Sequence, residues 1–307
     1  MDKPFLTYRV GPHIFRIANG STIDIAEILP SLSPFVESMQ TNEQPIFELY
    51  LEDAHKAMPA DNNAADIGFD WEDAHCVIRP LADKAYLVAI TPRNAEVPYC
   101  MECSDNFPHC TAYLSTGSKA TEESAEQRNT KSFILNNFLM MLYAFNAIQH
   151  CTLLMHASVV VNKDKGYIFL GKSGTGKSTH TSLWLKHIES SHLLNDDNPI
   201  VHIECLTDKI TVYGSPWSGK TPCYRNESAP VGAFVRLEQA PQNEIRLEKT
   251  VHAFASLLPS CSYLRQDKEM YAKVVRVVTC IASHARVFHL KCLPAKAAAE
   301  LAWNAIR

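Results

Sequence analysis

Glycine is scarce in this chain of 307 residues, eleven in all, and no stretch is uninterruptedly apolar for long. A membrane-spanning helix needs roughly 18 such residues in a row. The nearest approach, Phe133 to Ile148, is broken by Asn136, Asn137 and Asn146. Nor does charge of one sign dominate: 29 Lys+Arg against 33 Asp+Glu leave a net −4, without the basic surface that nucleic acid or anionic lipid calls for. Met1-Asp2-Lys3-Pro4 has neither the basic end nor the apolar run of a secretory signal. The expectation is a cytoplasmic protein with no nucleic-acid partner and no membrane. Its ten scattered cysteines are then expected as reduced thiols. The apolar share of 46% against 20% charged residues is that of an ordinary folded chain, and the length suggests two domains of about 150 residues each.

Cys100-x-x-Cys103 followed by His109-Cys110 offers side chains that zinc accepts. The second pair follows the first so closely that a tetrahedral cage would need a very tight knuckle, and Pro98 and Pro108 flank it. Strand-borne, half-buried thiols are the reading preferred here.

The first 120 residues read as short β-prone segments: Phe5 to Val10, His13 to Ile17, Ile46 to Leu51, Cys76 to Ile78, Ala85 to Ile90 and Cys110 to Leu114, with a loop at Asp61-Asn62-Asn63. No chemical motif stands among them. Residues 118–130 are polar and read as a joint. Ile134, Phe138, Met141, Phe145 and Ile148 then recur at helical steps, predicting a helix over Lys131 to Gln149, packed between the halves or on the second domain's sheet. Beyond it come a run Leu153 to Val161, a hairpin turn over Asn162 to Gly166 and a strand Tyr167 to Leu170. A helix follows from Lys177 to about Ser190, then a strand from Leu193 ending at Asn195-Asp196-Asp197. Val201 to Ile203 pairs with Thr211 to Tyr213, and Val231 to Leu237 with Glu244 to Leu247. Helices near Glu248 to Leu258 and Asp267 to Ser283, a strand through Phe288, Leu290 and Cys292, and a last helix opening at Pro294 complete the reading.

Gly171-Lys172-Ser173-Gly174-Thr175-Gly176-Lys177-Ser178 satisfies G-x-x-x-x-G-K-[ST] between a strand and a helix, the setting its mechanism requires. Chance would supply the pattern in roughly one chain of this length in a hundred, and three of the eleven glycines fall in this loop. Residues without side chains let backbone N–H groups turn around phosphate oxygens, and the following helix adds its positive end. Gly171, Ser173, Gly174, Thr175, Gly176, Lys177, Ser178 and Thr179 are therefore the expected nucleotide-binding residues, with Lys177 neutralising the β- and γ-phosphates and Ser178 on Mg²⁺. Asp196-Asp197 follows Ser178 by 18 residues, enough for a helix and a returning strand. Asp196 is assigned to the metal with Ser178, and Asp197 to the proton of an attacking hydroxyl; the two roles are exchangeable on sequence alone.

His156-Ala157-Ser158, the Gly171 loop fifteen residues after His156, and Leu194-Asn195-Asp196-Asp197 together resemble the catalytic domain of HPr kinase/phosphorylase. That family shares its nucleotide-binding fold with phosphoenolpyruvate carboxykinases, whose phosphate loop and aspartate pair are similar to Gly174 to Lys177 and Asp196-Asp197. The resemblance covers roughly residues 150–305. It implies a mixed-sheet domain, ATP and Mg²⁺ as cofactors, phosphoryl transfer to a serine or another hydroxyl, and His156 beside the γ-phosphate. HPr kinases carry a glutamate after the loop serine where this chain has Thr179, which points away from HPr itself as the acceptor. These kinases assemble as oligomers, so a homo-oligomer is among the expectations.

The fold expected is α/β (α+β): a mixed-sheet P-loop domain of HPr kinase/phosphoenolpyruvate carboxykinase type over 126–307, preceded by a β-rich domain over 1–125. A second loop, Tyr213 to Lys220, offers Trp217 for stacking and Lys220 for a phosphate, and Arg225 and Arg236 are candidate charge clamps. The function expected is an ATP-dependent kinase acting on a peptide or protein serine or on a hydroxyl-bearing small molecule, with Asp197, His156 and Lys177 as its catalytic residues. Two alternatives stand beside it: a nucleotide-binding regulatory module without catalysis, and a carboxykinase-like enzyme.

Overall fold

The computed structural model describes residues 5–19, 23–39, 41–59, 65–71, 73–104, 107–116, 124–219 and 221–307. The chain divides into two compact units, both of mixed α/β build. One takes in His13–Asn146 and the described residues up to Arg9, the other Ala147–Arg307 together with Val10–Pro12. No described helix is long and apolar enough to cross a membrane.

The first unit is built on an eight-stranded sheet. Its strands are β1 (Phe5–Val10), β2 (His13–Asn19), β3 (Glu48–Glu52), β4 (Ile67–Asp70), β5 (Ala74–Pro80), β6 (Tyr86–Pro92), β7 (Tyr99–Cys103) and β8 (His109–Tyr113), in the order β1-β2-β3-β8-β7-β6-β5-β4. Tyr8, Phe15 and Phe47 stack in its core. The expected strands are present; β4 and β7 are additional, and the loop at 61–63 lies outside the described residues. Cys100 and Cys103 sit three apart on β7, where alternation sends them to opposite faces of the sheet. Cys103 lies across from Cys110, and burial raises the thiols of Cys100, to about 11, and of Cys103. His109 is exposed. The four do not form a cage.

A one-turn helix α1 (Ile25–Ile28) and the long helix α2 (Ala125–Ala147) complete this unit. The latter starts six residues before the predicted Lys131, because Ser124 and Gln127 form a reciprocal cap: the Gln127 N–H donates to Ser124 Oγ and the Ser124 N–H to Gln127 Oε1. The polar stretch read as a joint is thus partly helix. Its apolar residues are buried as expected, and Ser132 Oγ donates to Ile28 O, Asn146 Nδ2 to Phe107 O, and the Phe145 ring meets Phe107. These contacts tie the helix to the first sheet, so the division of the chain falls after it.

The second unit is a nine-stranded sheet. Its strands are β9 (Thr152–Leu154), β10 (Ala157–Asn162), β11 (Lys165–Leu170), β12 (Ser191–Asp197), β13 (Ile200–Ile203), β14 (Ile210–Tyr213), β15 (Ser228–Gln239), β16 (Glu244–Leu247) and β17 (Val287–Cys292). Its helices are α3 (Lys177–His187), α4 (Thr250–Leu257), α5 (Lys268–His284) and α6 (Lys296–Ile306). β15 joins two ladders. Its first residues pair antiparallel with β14, and the rest runs parallel between β11 and β17. On one face Phe169, Val235 and Phe288 bury against Trp184 of α3 and Ala299 and Ala302 of α6; each large side chain so buried stabilises the fold by about 1.5–3 kcal/mol.

The turn at Lys163-Asp164 has both φ values positive, 47° and 62°, the two-residue hairpin the sequence signalled. Three expectations need correction. β15 and β16 do not pair with each other, because β17 stands between them and takes one edge of each. The run Leu153 to Val161 is two strands in different ladders, broken at Met155-His156. Pro294 precedes the N-cap Ala295 rather than opening α6.

Candidate functional site

Strand register brings the separated motifs together. In the β10/β12 ladder Ser158 lies opposite Asp196 and Ala157 opposite Asp197, so His156, one residue earlier, arrives beside Asp197. On the other side β10 pairs with β11, whose Leu170 runs into the glycine loop and then α3. Gly174 and Gly176 have φ of 77° and 99°, values a side chain would strain. Thr175 closes the loop's turn, its N–H and Oγ1 both donating to Lys172 O. Gly176 caps α3 with no side-chain bond to the first turn, leaving backbone N–H groups open there.

Lys177 is buried. Its Nζ donates to Gly171 O at 3.0 Å and to His156 Nε2 at 2.8 Å, while His156 Nδ1 lies 2.9 Å from Asp197 Oδ1. An ammonium can only donate and a carboxylate only accept, so the line fixes the imidazole with its proton on Nδ1. Burial pushes the Lys177 ammonium below its ordinary pKa, against the opposing pull of Asp197 and Asp196.

Asp196 is buried and Asp197 half-buried. Asp196 Oδ1 accepts from Ser178 Oγ at 3.0 Å and from Ser158 Oγ at 2.8 Å. Mg²⁺ bound octahedrally at 2.0–2.1 Å sets neighbouring oxygens about 3 Å apart, so the Ser178 and Asp196 oxygens have the spacing of one edge of such a shell. Two hydroxyls and a carboxylate are also hard oxygen donors of the kind Mg²⁺ takes. The pair fits the ion.

Asn195, which sequence reasoning quoted without giving it a role, is fully buried and holds the site's floor. Its Oδ1 accepts from the N–H groups of Asp197 and Asn198, and its Nδ2 donates to Ser215 Oγ and Trp217 O. Ser158 was likewise quoted only as part of a motif. The loop after β14 is pinned from below: the Gly219 N–H donates to Asp196 O, and Gly214 lies where an added Cβ would come 2.0 Å from Arg225 O. Trp217 is buried and is core rather than a stacking surface. Lys220 lies outside the described residues.

Two clefts border the glycine loop. One, of about 660 Å³, has Gly174, Thr175, Gly176 and Thr179 on one side and the apolar residues Leu237, Ala240, Pro241, Leu293 and Pro294 on the other. The second, of about 830 Å³, is bordered by His156, the loop from Gly171 to Thr175, Arg236, Ser256 and Ser260. Gln239 reaches across to the loop, its Nε2 donating to Gly174 O and Thr175 O; nothing in the sequence flagged it. Arg236 bonds Glu238 and His289, and Arg225 bonds Glu227. Of the expected site residues, Lys177, Ser178, His156, Asp196 and Asp197 form one connected cluster, Ser173 borders the second cleft, and Thr179 lines the first.

No protein-family model matches the chain, and no curated protein matches it. Among solved structures it is similar to the Hpr(Ser) kinase/phosphatase from Coxiella burnetii, at 13% sequence identity over 43% of this chain and 89% of that one, with a TM-score of 0.23. A score that low carries no argument, and the functional reading rests on the site itself.

Proposed function

We propose that the protein is an ATP-dependent kinase that transfers a phosphoryl group to a serine or small-molecule hydroxyl. The observation that carries this reading is the continuous hydrogen-bonded line from Gly171 through Lys177 and His156 to Asp197, set beside the Ser178–Asp196 pair. Phosphoryl transfer asks for little covalent chemistry from the protein; it asks for position and for charge in the right places. The glycine loop and the open end of α3 supply N–H donors, and Lys177 supplies a cation at their centre. Ser178 and Asp196 would hold Mg²⁺, which neutralises charge on the phosphates. The cleft edged by Leu237, Pro241 and Leu293 suits a purine ring, since such sites are largely apolar with few polar groups.

Asp197 is the base in this reading. It is the more exposed carboxylate, and it is aligned by His156 and by Asn198 Nδ2, which donates to Oδ2 at 2.7 Å. It accepts the acceptor's proton as the oxygen attacks. His156 keeps its Nδ1 proton on that carboxylate and its Nε2 lone pair on Lys177, so it acts as a spacer that holds base and cation at a fixed separation. The second cleft, which His156 borders, is the acceptor's place.

The test is a magnesium-dependent calorimetric titration with a non-hydrolysable ATP analogue, followed by turnover with panels of serine peptides and hydroxylated metabolites. Binding that depends on magnesium and on Lys177 supports the reading. Absence of any affinity for purine triphosphates ends it.

A further inference from the structure

The second unit carries another cluster of metal-ligating side chains, built from elements the kinase reading leaves unused. Cys280 and His284 lie one turn apart at the end of α5, and Asp208 sits in the turn between β13 and β14. Cys280 Sγ is 3.8 Å from Asp208 Oδ1, His284 Nε2 is 3.4 Å from Asp208 Oδ2, and ligand atoms of all three lie within 4.8 Å of one another. Zinc bonds of about 2.0–2.3 Å in a tetrahedron place neighbouring ligand atoms about 3.3–3.8 Å apart, the range of the two distances to the Asp208 carboxylate.

The imidazole is already set for a metal. His284 Nδ1 lies 2.9 Å from Cys280 O, a carbonyl that can only accept, so Nδ1 carries a proton and Nε2 is the atom turned to the carboxylate. Metal-bound histidines are oriented in this way, through the ring nitrogen that does not ligate. The 3.4 Å gap from Nε2 to Asp208 is longer than the 2.7–2.9 Å of a charge-assisted hydrogen bond, but it is the right length for two ligands of one ion. Cys205 shares the turn with Asp208, but its Sγ lies 2.8 Å from Cys151 Sγ and outside the three-residue cluster.

We propose that Asp208, Cys280 and His284 bind a divalent transition metal of zinc type, with water completing the tetrahedron, and clamp the end of α5 to the β13–β14 turn. The Cys280 thiol gives up one proton to solvent as its bond to the metal forms, with no change of oxidation state. A thiolate, an imidazole and a carboxylate make a mixed set that favours zinc or cobalt over the hard cations magnesium and calcium.

The test uses the full chain, reduced and stripped of metal, titrated with Co²⁺ and then with Zn²⁺ in competition. One equivalent of Co²⁺ is expected to raise a thiolate-to-cobalt charge-transfer band that Zn²⁺ abolishes. Cys280→Ser is expected to remove that band, and His284→Ala to lower affinity on the order of 10–100-fold or more. These residues are exposed or half-exposed, and a urea unfolding curve of each metal-free variant verifies that it still folds. No band in the parent protein, or one that survives Cys280→Ser and His284→Ala unchanged, overturns the proposal. The readout is spectroscopic and stands apart from nucleotide binding.

Discussion

Replacing Lys177 by methionine separates the work of this side chain in the empty protein from its work in a nucleotide complex. Nζ donates to His156 Nε2 and Gly171 O, yet burial, the largest influence on its ammonium, pushes the pKa down despite two neighbouring aspartates. The folded environment therefore disfavours the charge. Methionine has a similar length and no charge to desolvate. It forfeits two hydrogen bonds worth about 0.5–1.5 kcal/mol each, and losing the desolvated charge offsets part of this, so without nucleotide the protein should lose less than about 3 kcal/mol. The complex is a different case. A hydrogen bond to a charged phosphate contributes about 1.5–3 kcal/mol, so affinity should fall between about tenfold and about 150-fold. Calorimetric titration with the magnesium complex of an ATP analogue reads the second quantity, and the urea midpoint the first. Affinity within about threefold of the parent would refute the role given to Lys177. A loss of more than about 3 kcal/mol in the empty protein would make it a structural residue instead.

Asp197→Asn keeps the contact with His156 and removes the base, so nucleotide affinity should hold while kcat falls about 10²–10⁴-fold; single-turnover kinetics with an identified acceptor would show the split, and unchanged kcat would contradict the assignment. Gly214→Ala drives a Cβ to 2.0 Å from the Arg225 carbonyl, a backbone clash that should cost about 1–3 kcal/mol in urea unfolding. His180, buried and accepting from Trp184 Nε1, has its pKa lowered from 6.5 to about 4. Between those values the unfolded chain binds more protons, so stability falls as pH drops, by about 2 kcal/mol at pH 5, and His180→Gln should flatten that part of the profile measured by urea midpoints.

Elements with strong local signals were legible in the sequence. The glycine loop, the hairpin turn at Lys163-Asp164, the β13–β14 pair and the apolar face of α2 each follow from a few adjacent residues, and each is present. What escaped reading depends on partners distant in sequence. Nothing near Glu244 to Leu247 says that β17, some forty residues later, will come between it and β15. The early start of α2 was readable in principle, since Ser124 and Gln127 have capping-box spacing, but the polar residues between them resemble a linker. Gln239 and Asn195 act on backbone far from their own strands, and amides carry no sequence mark that separates a buried anchor from a surface residue.

The two aspartates show the same limit from the other side. Their adjacency suggested a shared site but left the roles exchangeable, and the strand they end gives the two side chains different partners. Successive side chains on a strand point to opposite faces, so neighbouring carboxylates cannot both meet the loop serine. The β10 register puts Ser158 opposite Asp196, which commits that residue to the side where Ser178 emerges. It also hands Asp197 to His156, itself at the break that parts β9 from β10. Had the run from Leu153 to Val161 continued as one strand, His156 would lie within a ladder rather than at its end. The break is thus what frees the imidazole to span Lys177 and Asp197. A substitution that extended the ladder through Met155 would be expected to separate Asp197 from Lys177 while leaving the glycine loop intact.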